Sequence, residues 1–141
     1  MSNRSLVNDV AVVGVGGAGT NIAFCLEKLG YTTIHINSST QDESAIKGAK
    51  NIRHLKGFNG CAGNRALAEK ALAENMDIVD EISSLDESIV YVIFSSAGGT
   101  GSGVSTALID MLVEETDKTI CAIVVLPDKN EDFDFHVNSY K

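Results

Sequence analysis

The 141-residue sequence has no tryptophan, one proline and three cysteines, and these scarcities exclude several classes of protein. Cys25, Cys61 and Cys121 are odd in number and form no C-x-x-C pair, so we expect reduced thiols rather than disulfides or a zinc site. The histidines are scattered, and no Ser/His/Asp, Cys/His or metal-ligand pattern occurs, so no catalytic or metal residue is predicted. No apolar stretch is long enough to span a membrane, and the first residues do not resemble a secretory signal. These absences favour a cytoplasmic protein.

Basic residues are also scarce, with 11 Lys and Arg against 19 Asp and Glu, which gives a net charge of −8. Such a charge disfavours binding to nucleic acid or to acidic membranes. Five of the basic residues fall between 47 and 65, and acidic residues dominate 69–87. The simpler interpretation is two solvated surfaces. The alternative is a complementary pair that supports head-to-tail self-association.

Glycine, in contrast, is abundant, with 13 residues, and most of them fall in three loops. The first loop, residues 14–21, follows an apolar strand at 10–15 and precedes a helix that ends at Gly30. That helix should bury the periodic residues Ile22, Cys25, Leu26 and Leu29. A glycine loop before a helix is typical of a phosphate site, because free N–H groups converge there.

The other two glycine loops repeat this arrangement. The loop at 56–64 precedes an alanine-rich helical segment at 65–82. The loop at 95–103 lies between an apolar strand at 89–94 and a helix that runs to Glu115. Tight turns without a ligand could explain one loop, but three are better explained by a nucleotide site.

The remaining strands complete an alternating pattern. They are predicted at 31–36, at 51–55 after a brief helical turn at 43–47, and at 120–126. The last run is apolar throughout, as in a central parallel strand, and it should also bury Cys121. The pattern predicts an α/β fold with an open, mostly parallel, Rossmann-like sheet, helices on both faces and the glycine loops at its carboxyl edge. The length fits one domain.

The first loop also satisfies G-x-G-x-x-G, which is the fingerprint of a dinucleotide-binding oxidoreductase domain. That class places an acidic residue at the end of the second strand to bind the ribose, whereas this chain has Asn37, Ser38 and Ser39. No Walker A motif occurs. The dinucleotide domain remains one alternative, and a non-catalytic, nucleotide-dependent assembly module is another.

The three loops together resemble those of the tubulin/FtsZ family of polymerising GTPases. The run A-G-G-T-G-S-G at 97–103 is similar to the family's signature loop, and residues 14–21 resemble its first nucleotide loop. Cys61 to Asn64 resemble the loop that senses the γ-phosphate, and the F-x-F at 133–135 resembles the start of the ribose-side segment. The run G-C-A-G-N-R is nearest in character to phage or prokaryotic tubulins. His136 and Tyr140 depart from the family's glutamate and arginine, so the ribose contacts should differ.

This resemblance implies that residues 1–141 form a GTP-binding domain that takes GTP and GDP with Mg²⁺. It further implies head-to-tail filaments, in the host cytoplasm for a phage protein, with hydrolysis completed by the neighbouring subunit. The family's central helix, second domain and water-activating acidic loop have no counterpart before Lys141, so the chain resembles the front half of the family. Asn21 would lie toward the sugar or base, and residues 99–101 would hold the α- and β-phosphates. The nucleotide-binding residues implied are Gly16, Gly17, Ala18, Gly19, Thr20, Asn21, Ala62, Gly63, Asn64, Gly98, Gly99, Thr100, Gly101, Ser102 and Gly103.

Overall fold

The structure is a computed structural model that describes residues 9–37, 46–55, 65–96 and 99–126. In these ranges the chain forms nine elements, in the order β1 (Val10–Val15), α1 (Gly16–Lys28), β2 (Thr32–Asn37), β3 (Ile52–His54), α2 (Arg65–Ala73), α3 (Met76–Ser83), β4 (Ile89–Ser95), α4 (Gly99–Glu115) and β5 (Thr119–Val125). The predicted turn at 43–47 lies partly outside the described residues, and the loop at 56–64 lies wholly outside them. No helix in the described part is long and apolar enough to cross a membrane.

The strands form one five-stranded sheet in the order β3-β2-β1-β4-β5, and every pairing is parallel. β1 is central, and Val13 lies opposite Ile34 of β2 and Val92 of β4. α1 packs on one face, and the larger core cluster on the other face contains residues of α2, α3 and α4. The predicted α/β fold with helices on both faces is therefore confirmed.

β5 is parallel, as predicted, but the prediction that it is central is wrong for the described sheet. It pairs with β4 on one side only and forms an edge. Ile123 is 40% exposed and Val124 is 44% exposed. A continuous apolar run indicates a strand suited to burial on both faces. The place of that strand in the sheet depends on which strands lie beside it, and the described residues supply none on its outer side.

α1 ends as predicted, with Gly30 at a φ of 104° after the last turn, but it begins at Gly16, inside the predicted loop, and it buries a different face. Leu29 is 69% exposed, Ile22 is 39% exposed, and Cys25 is exposed as well. The buried residues are Gly16, Gly19, Thr20 and Ala23. Helical periodicity alone favoured the large apolar residues. The structure instead turns the small residues inward, because they allow the helix to approach the sheet closely.

Two glycines determine how close this approach is. A Cβ atom on Gly19 would lie 2.1 Å from the carbonyl oxygen of Ile93 in β4. A Cβ atom on Gly14 would lie 2.5 Å from the carbonyl oxygen of Gly19. Real Cβ atoms do not tolerate such distances, and both obstacles are backbone atoms that cannot move aside. The backbone of α1 is therefore in direct contact with the backbones of β1 and β4.

The segment at 65–82 was predicted as one helical run, but it forms two helices, α2 and α3, with a break at Asn75. Asn75 is 2% exposed, and its backbone has φ −127° and ψ 44°. Its side-chain Nδ2 donates to the carbonyl oxygen of Ala71 at 2.7 Å. A short amide side chain that bonds to the preceding turn competes with the helical hydrogen bonds, which explains the break.

We expect the Gly19→Ala variant to lose about 3 kcal/mol or more of unfolding free energy, because overpacking against fixed backbone is strongly destabilising. Urea denaturation measures this loss. Gly48→Ala is the matched control, since a Cβ there meets nothing within 4 Å although its φ is 98°. The control should lose only about 1–2 kcal/mol, which is the cost of the positive φ. Equal losses in the two variants would contradict the close packing of α1.

Candidate functional site

The candidate site lies at the carboxyl edge of the two neighbouring strands β1 and β4. α1 starts directly after β1, at Gly16, and α4 starts four residues after the end of β4, at Gly99. Because β1 and β4 are adjacent and parallel, both helices begin at the same edge of the sheet. In open α/β sheets this edge is where ligands bind.

The first turn of α1 receives no capping bond from its own N-cap residue. Val15 precedes the helix in an extended conformation, and its side chain makes no hydrogen bond to the helix. Gly16 has a φ of 76°, a conformation in the left-handed region that favours glycine. The four N–H groups at the start of a helix have no partner within it, and the helix dipole places partial positive charge beside them.

Neither helix has an acidic residue in its first turn. α3, which follows no glycine loop, carries Asp77 in that position. An acidic side chain near a helix N-terminus stabilises the helix, but it would repel a bound anion. The arrangement at α1 and α4 is therefore suited to an anion such as phosphate.

The predicted residues of the first loop occupy different positions. Gly16 is buried, Gly17 and Ala18 are half-buried, and Asn21 is exposed. The Thr20 hydroxyl is buried and donates to the carbonyl oxygens of Gly16 at 2.8 Å and Gly17 at 3.2 Å. This hydroxyl stabilises the first turn of α1, while Gly19 packs on β4.

The other predicted site residues are described only in part. Gly99, Thr100, Gly101, Ser102 and Gly103 form the first turns of α4. Ala62, Gly63, Asn64 and Gly98 lie outside the described residues, as do the F-x-F at 133–135, His136 and Tyr140. The nucleotide contacts of all these residues stay predictions. In the described ranges, no group of three or more His, Cys, Asp or Glu residues is arranged to hold a metal ion.

A network around Glu27, near the end of α1, was not predicted. Its Oε1 accepts hydrogen bonds from Thr33 Oγ1 at 2.8 Å, His35 Nε2 at 3.1 Å and the Lys50 backbone N–H at 3.1 Å. Burial raises the pKa of the Glu27 carboxyl, but the bonds from Thr33, Lys50 and His35 outweigh burial, so that the pKa is lowered. One signal was present in the sequence, because polar residues alternate with Ile34 and Ile36 along β2.

An ion pair joins the two oppositely charged segments within the chain. Arg53 of β3 donates from Nε and Nη2 to the two carboxylate oxygens of Glu81 in α3, at 2.8 and 2.7 Å. The hydrogen bonds from Arg53 lower the pKa of Glu81 despite some burial. Arg53 and Glu81 thus neutralise each other inside one molecule.

The lowered pKa values predict a loss of stability in acid. Because folding lowers the pKa of Glu27 and Glu81 below the ordinary 4.5, both carboxylates stabilise the folded chain at neutral pH. This contribution disappears as pH falls through the lowered values. Unfolding free energies measured from about pH 7 to about pH 3 should decline less steeply for Glu27→Gln and Glu81→Gln than for the wild type. Identical slopes in all three proteins would refute the prediction.

Sequence comparisons match nearly the whole chain to known proteins. The family model described as "Tubulin/FtsZ family, GTPase domain" matches residues 9–140. The tubulin-like protein TubZ of Clostridium botulinum C phage is 29% identical over 143 residues, which cover 94% of this chain and 38% of TubZ. The tubulin-like protein CetZ of Thermococcus kodakarensis is 31% identical over 132 residues, which cover 85% of this chain and 35% of CetZ.

Structural comparison gives the same relatives. Clostridium botulinum phage c-st TubZ, truncated at its C-terminal tail, has a TM-score of 0.84 and 28% identity, over 96% of this chain and 46% of that one. CetZ from Methanosaeta thermophila has a TM-score of 0.80 and 27% identity, over 93% of this chain and 40% of that one. This chain therefore spans less than half the length of these relatives.

Proposed function

Because the chain belongs to the tubulin/FtsZ family, we propose that it binds GTP and GDP at the carboxyl edge of its sheet as the nucleotide-binding part of a tubulin-like cytoskeletal protein. The observation that carries this proposal is the pair of helix N-termini, α1 and α4, side by side without an acidic residue in either first turn. Fixed N–H groups there can donate to phosphate oxygens as soon as the nucleotide arrives.

The electrostatics of the chain support a local source of attraction for phosphate. A net charge of −8 repels nucleotides at a distance, so backbone N–H groups and helix dipoles must supply the attraction at short range. Charge-assisted hydrogen bonds of this kind contribute about 1.5–3 kcal/mol each. The residues present thus fit a di- or triphosphate. A Mg²⁺ ion would arrive with the triphosphate and keep several of its waters, without a dedicated protein cage.

The end of β2 favours a mononucleotide over a dinucleotide. In dinucleotide-binding sheets an acidic residue at this point binds the ribose hydroxyls. Here β2 ends at Asn37, which is 2% exposed and carries no charge. In addition, another glycine loop, at 95–103, precedes α4. The dinucleotide fingerprint uses only the turn between the first strand and the first helix.

We expect Ala18→Asp to abolish nucleotide binding without loss of stability. Ala18 is half-buried in the first turn of α1. A carboxylate there should stabilise the helix by about 0.3–1 kcal/mol through the dipole. Its charge should weaken GTP and GDP affinity by about 100-fold or more, since like charges in contact cost several kcal/mol.

Isothermal titration with GTP and GDP measures the affinities, and urea denaturation measures the stability of the same samples. Ala18→Asn is the matched control, because it has the shape of aspartate without the charge. If the Asp and Asn variants bind equally well, α1 does not bind phosphate and the proposal fails.

We further propose that the protein forms or joins head-to-tail filaments, in which a neighbouring subunit completes the hydrolysis of GTP. Hydrolysis requires an oriented water as well as a phosphate cradle. By the family resemblance, acidic residues of the adjoining subunit orient this water, and a heterologous contact of that kind propagates into a filament.

GTP turnover by the 141-residue chain should accordingly be slow. It should stay slow at every protein concentration, because a neighbouring copy of the same 141 residues has no counterpart of the acidic residues that orient the water. Phosphate release over a concentration series measures it, with Ala18→Asp as the background for contaminating activity. Fast turnover that is independent of concentration would require a complete active site in one chain and would contradict the assembly proposal.

A further inference from the structure

The Glu27 carboxylate lies where α1 meets the sheet. Its side chain is only 10% exposed, and a single oxygen, Oε1, receives all three hydrogen bonds described above, from Thr33, His35 and the Lys50 N–H. A buried carboxylate is costly unless donors satisfy it. Three hydrogen-bond donors that converge on one point need an acceptor that carries no proton of its own. Among side chains, an ionised carboxylate meets this need.

His35 gives one of these bonds a definite direction. Its side chain is fully buried, and Nδ1 has no hydrogen-bond partner among the residues that the structure describes. Because an ionised carboxylate only accepts, the bond to Glu27 requires a proton on Nε2. The ring also meets Phe24 of α1 edge-on, with centroids 6.3 Å apart. α1 is therefore joined to β2 by a directed, charge-assisted hydrogen bond.

The third donor belongs to the segment that enters β3. The residue after Lys50, Asn51, is bonded to β2 twice. Its carbonyl oxygen accepts from the His35 N–H at 2.8 Å, and its Nδ2 donates to the Thr33 carbonyl oxygen at 2.9 Å. Glu27 thus connects α1 both to β2 and to the chain that leads into β3.

The other close contacts of α1 with the sheet have no such direction. Gly14, Gly19 and Ala23 let the helix approach the strands, and these contacts set its distance from the sheet. Contacts between small apolar groups resist sliding along the helix axis only weakly, whereas hydrogen bonds to a fixed oxygen resist it strongly. Because α1 is one helix of 13 residues, the position of its last turn determines the position of its first.

We infer that Glu27 is a positioning residue for the first glycine loop. By fixing α1 along its axis, Glu27 keeps the N–H groups of residues 16–18 where they meet phosphate. It touches no ligand, since it lies about 16 Å along the helix from Gly16. The consequence for binding rests on the proposed nucleotide function, whereas the effect on the helix does not require a nucleotide.

The experiment compares Glu27→Gln with the matched control Glu81→Gln in the full chain. Both variants remove the charge of a carboxylate that accepts side-chain hydrogen bonds, but Glu81 lies on α3 and bonds to Arg53. Backbone amide exchange is measured by NMR without nucleotide, and GTP and GDP affinities are then measured at equal folded fraction. Thr33→Val removes one donor from outside α1 and serves as a second, milder variant.

We expect Glu27→Gln to speed exchange at Lys50 and at residues 20–23, whose N–H groups donate within the first turns of α1, Thr33→Val to do so less, and Glu81→Gln to leave these amides unchanged. Affinity for GTP and GDP should fall about tenfold in Glu27→Gln only, since misplacement by about 1 Å costs up to ~100-fold. The inference is overturned if residues 20–23 exchange equally in Glu27→Gln and Glu81→Gln. If the wild type binds neither GTP nor GDP, the proposed function fails, and the exchange comparison alone decides the role of Glu27.

Discussion

The contact between the backbones of α1 and β4 is the constraint on which the rest of this structure depends. Gly19 lies against the carbonyl oxygen of Ile93, and Gly14 makes room for the next turn of the same helix. No other residue type fits at these two positions without moving the backbone. The contact brings the start of α1 to the edge of β1, beside the strand that leads into α4.

This constraint explains features that otherwise look unrelated. A helix that turns its small residues toward the sheet must turn larger ones away, which leaves Ile22 and Leu29 exposed. Small residues do little to stop α1 from sliding along its axis. The hydrogen bonds to Glu27, at the other end of the helix, oppose that movement. The first glycine loop thus combines two demands, since Gly19 serves packing while Gly16 to Ala18 keep their N–H groups at the sheet edge.

Much of the fold could be predicted because its signals are local. Apolar runs marked β1 and β4 to within a residue, the last residue of α4 was predicted at Glu115, and the alternation of strands and helices predicted the parallel sheet. The face of α1 could not be predicted from periodicity, since the burial of Gly19 depends on a strand more than 70 residues later in the chain. The edge position of β5 depends in the same way on neighbouring strands rather than on its own residues.

The candidate site shows a similar division. The glycine loops predicted an anion site and the helices that follow them, because both signals lie in short stretches of sequence. The structure contains α1 and α4 after two of these loops, while the anion site stays a prediction. The Glu27 network joins residues from α1, β2 and the segment before β3, so its geometry appears only after folding. The polar residues that alternate along β2 indicated such a network in the sequence, but they did not identify Glu27 as the acceptor.

The central claim is that the first turns of α1 and α4 together bind the phosphates of a guanine nucleotide. It is tested most directly by amide chemical shifts of the isotope-labelled chain during titration with GTP, GDP and NAD. We predict saturable shifts with GTP and GDP at residues 16–18 and at residues 99–101, and none at these positions with NAD. Shifts confined to other parts of the chain, or the same shifts with NAD, would contradict the claim.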